Sequence, residues 1–315
     1  MAIFLLMTIP SLVAQSNATD LDDLRALLIT PPTEQEKQLL SIDPSFAIKL
    51  ERDPVSNSEF YSDDVQLCRD KISFQTPWGD RTTGYIYKPL FSLGPRPGVL
   101  ALSGSPGHAM SISTFSRDLA KKGFIVLFFN ALPTRLPKDR VLTPEVDIQG
   151  DIALIKEYRV ALHILRTLPE VDKNKLGVCG VSMGGIFGSP LAGLELDVKA
   201  FLYQISLPGL VHPSLLGRPL GNFLETQKSK MPRETYIQTM KSYLAYEGIR
   251  YTQVPRTAPI LWQNTTGDNL LKKSLVDSSF ELSGGPKQQI WYPGGHGVSD
   301  QMSQDGIAWL LEELN

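Results

Sequence analysis

Cysteine and long apolar runs are the scarce features of this chain, and each scarcity removes a class of protein. Only Cys68 and Cys179 occur in 315 residues. That is too few for a disulfide framework, and Cys179 lies in an apolar stretch where a thiol acts as a small buried hydrophobe. No uninterrupted apolar run reaches the roughly 20 residues that a membrane-spanning helix needs. Charge of one sign is also lacking: 31 Lys and Arg face 33 Asp and Glu, for a formal net charge of -2. Without a basic run to follow phosphates, nucleic acid and anionic membrane surfaces are poor partners. No grouping of His, Asp or Glu has the spacing of a metal site, no internal repeat is visible, and neither metal nor cofactor is expected.

What is present suits one large α/β domain with an insertion, given the length and a hydrophobic content of 42%. Residues Ala2 to Ala14 are apolar and run into the polar Gln15-Ser16-Asn17. This reads as a secretory signal over residues 1–19 and predicts a secreted or periplasmic protein. No Lys or Arg precedes the run and Leu12 stands where a small residue is usual, so an apolar N-terminal segment of a cytoplasmic protein is the open alternative. Residues 20–64, rich in charge and proline, are expected to form short helices outside the sheet, beginning at Asp20-Leu21-Asp22-Asp23-Leu24.

From Val65 the apolar spacing changes. Cys68 to Thr76 and Arg81 to Tyr87 read as a hairpin around Pro77-Trp78-Gly79-Asp80. Strand and helix patterns then alternate: Val99 to Leu102, a helix over Ser113 to Lys122 closed by Gly123, Phe124 to Phe129, a helix over Ile152 to Leu168, Leu176 to Val181, and Val198 to Ile205. Such alternation builds a mostly parallel sheet flanked by helices. About fifty residues then separate the sixth of these strands from Pro259. Connections of that length are usually lids or binding elements, so residues 207–256 are expected to cap the site within a 65–315 domain.

The chemistry concentrates in three loops. Gly180-Val181-Ser182-Met183-Gly184 lies between a strand and a helix start, where two glycines permit the sharp turn that holds Ser182 out of the backbone. Pro259 to Gln263 reads as a strand running into Asn264-Thr265-Thr266-Gly267-Asp268, which sets Asp268 just past its end. Gln289 to Tyr292 reads as another, followed by Pro293-Gly294-Gly295-His296-Gly297. The chain order Ser, Asp, His is the order in which one serine-hydrolase fold supplies nucleophile, orienting acid and base. Ser182 would attack a carbonyl, His296 would take its proton, and Asp268 would fix the imidazole tautomer and steady the imidazolium. Asp277 and Asp300 are weaker choices for the acid because neither ends a strand. Of the other histidines, His163 belongs to the polar stripe of its helix, His108 follows the turn after Leu102, and His212 lies in the expected cap. Trp262 and Trp291 are expected in the core. Two backbone N–H groups are candidates for the oxyanion hole: that of Met183, and one from Leu102-Ser103-Gly104-Ser105-Pro106-Gly107.

These motifs resemble the α/β-hydrolases, in particular their dienelactone-hydrolase and acetyl-esterase-like branches, over roughly residues 70 to 315. The resemblance rests on Ser103-Gly104-Ser105 at the family's oxyanion turn, the elbow GVSMGG, the loop TTGD and GGHG around His296. Carried over by position, Ser105 and Met183 would supply the oxyanion N–H groups; Ser103 departs from the family's usual histidine. The nucleophile is serine where dienelactone hydrolases have cysteine, which favours a serine carboxylesterase acting on small or short-acyl esters through an acyl-enzyme, without cofactor. A peptidase like the prolyl oligopeptidases, without room here for their β-propeller, and a non-catalytic binding protein on the same scaffold are the competing readings.

Overall fold

A computed structural model describes residues 21–53, 67–91, 94–137, 139, 141, 143–218, 220 and 231–315. The expected signal or apolar segment over residues 1–19 lies outside the described residues, as do residues 20 and 54–64 of the N-terminal extension and residues 219 and 221–230 of the expected cap.

Among the described residues, nine strands form one sheet in the order β1-β2-β3-β5-β4-β6-β7-β8-β9. They are β1 (Leu50–Asp53), β2 (Leu67–Gln75), β3 (Arg81–Pro89), β4 (Arg96–Leu102), β5 (Ile125–Phe129), β6 (Val171–Val181), β7 (Ala200–Gln204), β8 (Ile260–Thr265) and β9 (Lys287–Tyr292). From β5 to β9 the neighbours run parallel, while β1, β2 and β3 add an antiparallel flank. The central strands are apolar on both faces because both faces are covered, and the side-chain period of two deals their residues alternately to two cores. Leu100, Leu102, Val178, Phe201, Tyr203 and Trp262 face one core. Val99, Ala101, Cys179, Leu202 and Leu261 face the other. Trp262 is thus core, its ring tilted against that of Tyr203 with centroids 4.8 Å apart, whereas Trp291 is half-buried with the Lys273 ammonium 4.4 Å from its ring. Both cysteines are buried and free.

Helices fix the layers. The first two, α1 (Leu21–Leu28) and α2 (Glu34–Leu39), belong to the N-terminal extension. Next, α3 (Ser113–Lys121) covers the second core together with the C-terminal helix Asp300–Leu314. Opposite them, α4 (Pro144–Thr167) packs on β4 and β6 and starts two turns earlier than the apolar stripe predicts. Thr143 caps it by accepting the Val146 N–H at 3.3 Å, and Pro144 stands at the first position, where its missing N–H costs nothing.

The N-terminal extension is not wholly helical, which corrects the expectation for residues 20–64. After α1 and α2, β1 pairs antiparallel with β2 and extends the sheet edge. Its sequence, Leu50-Glu51-Arg52-Asp53, offers little apolar alternation, because its half-buried face carries Leu50, which packs on the first core, and then Arg52. What seats it is charge. Arg52 donates to Asp70 at 2.7 Å and to Glu170 at 2.5 Å, and Lys88 lies 3.1 and 3.2 Å from the same two carboxylates. Burial alone would raise the Glu170 carboxyl, but the Arg52 hydrogen bonds and nearby Lys88 outweigh it and bring its pKa down from 4.5 to about 2. A carboxyl lowered on folding adds stability above its unfolded value and loses it as pH falls toward the folded one. Glu170→Gln is therefore expected to cost about 1 kcal/mol at neutral pH and to flatten the fall in stability between pH 4.5 and 2. Urea unfolding across that pH range measures both.

The long connection follows the seventh strand rather than the sixth, because β1 adds one to the count. Its described helices, Val211–Leu215, Arg233–Leu244 and Gly248–Thr252, pack against α1, α4 and the short helix Leu191–Leu194. Together they bury a third apolar cluster around Leu24, Ile155, Met240 and Tyr251.

Candidate active site

Strand order reverses direction at β4: the chain next moves to β5 on one side, then to β6 on the other. In such sheets the crevice outside the carboxyl ends of the diverging strands is where ligands bind. Two of the sequence-predicted loops leave the sheet there, since Leu102 at the end of β4 pairs in register with Gly180 near the end of β6.

Ser182 occupies the turn between β6 and the helix α5 (Met183–Gly188), with φ 51° and ψ -115°, a conformation that a non-glycine residue holds only under constraint. The constraint is visible. The Ser182 N–H donates to the Gln204 carbonyl at 2.9 Å, and its own carbonyl accepts from the Ser206 hydroxyl at 2.9 Å and from the N–H groups of Gly185 and Ile186 at 2.9 and 3.0 Å. A Cβ on Gly180 would strike the backbone of Gly184 and Gly185, and one on Gly184 would strike the Leu102 carbonyl. Both glycines of the elbow are thus demanded by close backbone approach.

Asp268 follows β8 and His296 follows β9. Their loops are tied together: Thr266 and Gly267 donate their N–H groups to the Tyr292 and Gly294 carbonyls, each at 2.9 Å, and the Thr265 hydroxyl donates to the Gly295 carbonyl at 2.7 Å. The Asp268 side chain, 2% exposed, uses Oδ1 to accept the N–H groups of Leu270 and Leu271 at 2.8 and 2.9 Å. That leaves Oδ2 for His296 Nδ1, 2.7 Å away, and His296 Nε2 lies 2.9 Å from Ser182 Oγ. A carboxylate opposite Nδ1 holds the ring proton there, so in neutral histidine Nε2 accepts from the serine. The imidazole is 24% exposed, enough to meet a substrate from solvent.

The other candidates are elsewhere. Asp277 pairs with Lys273 at 2.6 Å, and Asp300 sits in the first turn of the C-terminal helix. His163 is exposed on α4, and His108 is exposed at the start of a short 3-10 turn, Ala109–Ile112. His212 is buried, its Nε2 3.0 Å from the Ser278 hydroxyl, and burial, helped by the Arg25 charge, lowers its pKa. A cavity of about 530 Å³ lined by Ile42, Phe46, Leu50 and His163 separates the N-terminal arm from α4, and none of Ser182, Asp268 and His296 lines it.

The oxyanion candidates flank the nucleophile. Met183 is the first residue of α5, so its N–H has no acceptor within that helix. The turn bearing Ser105 runs alongside: a Cβ on Gly104 would stand 3.5 Å from Ser182 Cβ. Ser103 is buried, and its hydroxyl has no hydrogen-bond partner among the described residues. Sequence reasoning missed the groups that anchor the elbow from below. Gln204 donates to Gln263 and Gln263 to Tyr292, both at 2.8 Å, Tyr292 donates to Asp305 at 2.9 Å, and Asn264 accepts the Ser206 N–H at 2.9 Å. Amides toward the carboxyl ends of otherwise apolar strands were the signal.

No protein-family model and no curated protein matches the chain. Solved structures do. An acetyl xylan esterase from a Paenibacillus species is similar with a TM-score of 0.69 at 17% identity, over 92% of this chain and 99% of that one. Acetyl xylan esterase 1 from a Thermoanaerobacterium species gives 0.65 at 16%, over 93% and 99%. A putative dienelactone hydrolase from Klebsiella pneumoniae gives 0.56 at 13%, over 79% and 98%. The fold is that of the α/β-hydrolases. In this sheet Ser182, Asp268 and His296 stand just past the carboxyl ends of β6, β8 and β9.

Proposed function

We propose that this protein is a serine carboxylesterase acting on small or short-acyl esters. One observation carries the reading: Ser182, His296 and Asp268 form an unbroken hydrogen-bonded chain of 2.9 and 2.7 Å at one end of the sheet. Ser182 Oγ attacks the ester carbonyl while His296 Nε2 takes its proton, and the buried Asp268 stabilises the imidazolium. Negative charge gathers on the carbonyl oxygen, where the N–H groups of Met183 and Ser105 receive it. The protonated His296 then gives its proton to the leaving alcohol, which departs and leaves an acyl-serine; water, activated by the same histidine, releases the acid. The acetyl xylan esterases among the structural neighbours favour a short acyl group.

The test joins reactivity to turnover. A fluorophosphonate probe is expected to label one residue, Ser182, and p-nitrophenyl acetate to be hydrolysed with a burst of p-nitrophenol equal to the labelled fraction. Folded protein whose Ser182 stays unlabelled would make the chain a binding scaffold, and cleavage of aminoacyl-p-nitroanilides with no ester turnover would make it a peptidase.

A further inference from the structure

The turn that carries Ser105 has little of its own to hold it. Within residues 103–107 one backbone bond closes it, Gly107 N–H to the Gly104 carbonyl at 2.7 Å, and Ser105 and Pro106 are exposed. An oxyanion donor is useful only if it is fixed before the charge arrives, because a donor that must reorient gives back much of its benefit. The fixing therefore has to come from outside the turn.

It comes from the end of β5. Asn130 Oδ1 accepts the Ala109 N–H at 2.9 Å, and the Ala131 N–H donates to the Gly107 carbonyl at 2.9 Å, so adjacent residues hold the last residue of the turn and the chain just after it. The amide is held from behind: Asn130 Nδ2 donates to the Thr83 hydroxyl at 3.0 Å, and its backbone N–H donates to the Thr83 carbonyl at 2.9 Å. Its carbonyl accepts from Arg135 Nη1 at 2.7 Å, and Arg135 is in turn paired with Asp80 at 2.8 Å and with the buried Glu157. At Gly107, with φ 99°, a Cβ would come 2.8 Å from that of Ala131, so the two segments touch with no room for slack. We propose that Asn130 is a positioning residue for the oxyanion turn, acting on the reaction through the Ser105 N–H without touching substrate. This rests on the ester-hydrolase reading of the site.

Asn130→Ala removes the acceptor for Ala109. Losing an oxyanion donor outright lowers kcat by about 10²- to 10³-fold, and loosening one is expected to lower it by about 10- to 100-fold. KM for p-nitrophenyl acetate should stay within about threefold, since the ground-state carbonyl draws little on the donor. The inhibition constant of a short-chain trifluoromethyl ketone, which forms an oxyanion on the serine, should rise with the fall in kcat. All rates are taken per fluorophosphonate-titrated site, so partial unfolding is divided out. Thr83→Val, which removes only the acceptor that orients the amide, is expected to lower kcat by about threefold. It decides the matter if Asn130→Ala cannot be obtained folded. If the wild-type chain labels and turns over while kcat per site in these variants is unchanged, the role of Asn130 is overturned and the esterase reading stands. If the wild-type chain neither labels nor turns over, both fall.

Discussion

Ser182→Ala is expected to lower kcat/KM for p-nitrophenyl acetate by about 10⁴-fold or more, with the folded structure unchanged. The magnitude follows from how the serine is placed. Its Oγ is the hydroxyl that meets His296 Nε2, at 2.9 Å, and its backbone is fixed at φ 51° by bonds from Gln204, Ser206 and the first turn of α5. Those bonds are all made by main-chain atoms of residue 182, so the alanine variant keeps them and loses only the nucleophile. Ser206 cannot stand in, because its hydroxyl is committed to the Ser182 carbonyl. Thermal unfolding should therefore match wild type while labelling disappears. A variant that keeps more than about a tenth of the wild-type rate would show that hydrolysis does not pass through this hydroxyl.

The parts of the molecule that could be read in the sequence are those where local pattern and long-range structure demand the same residues. The elbow is one, since Gly180 and Gly184 are required by contacts within a few residues and with the adjoining strand. The loops after β8 and β9 are others, because Thr266-Gly267 and Pro293-Gly294-Gly295 mark a strand's end whatever lies beyond it, although β8 runs on through Asn264 and Thr265, which read as loop. What escaped depends on partners distant in the chain. The edge strand β1 is held by Arg52 reaching Glu170, 118 residues away, and nothing in Leu50-Glu51-Arg52-Asp53 announces that. The first two turns of α4 carry little apolar stripe, so the pattern starts the helix at Ile152 although its cap lies at Thr143. Asn130 ends β5 as many asparagines end strands, and only its contact with Ala109 distinguishes it. For residues 207–256 the length of the connection marked a lid or binding element, but not that its described helices would bury an apolar face on α1 and α4.

Asp268→Asn separates the orienting acid from mere proximity. Oδ1 of Asp268 accepts the N–H groups of Leu270 and Leu271, and an asparagine would keep its carbonyl oxygen there, since its NH₂ cannot accept from them. The NH₂ would then face His296 Nδ1, where the wild-type Oδ2 lies at 2.7 Å. A donor opposite Nδ1 forces the ring proton onto Nε2, and Nε2 then donates to Ser182 Oγ instead of accepting from it. The site would be assembled in shape and reversed in polarity. A fall of about 10⁴-fold in kcat is expected, with little change in the folded structure. Asp300→Asn and Asp277→Asn supply the contrast: the first lies in a helix turn and the second in an ion pair with Lys273, and neither should change kcat by more than about twofold. Kinetics at neutral pH, together with the rate of fluorophosphonate labelling, measure the difference. A wild-type rate in Asp268→Asn would mean that His296 is oriented by something other than this carboxylate.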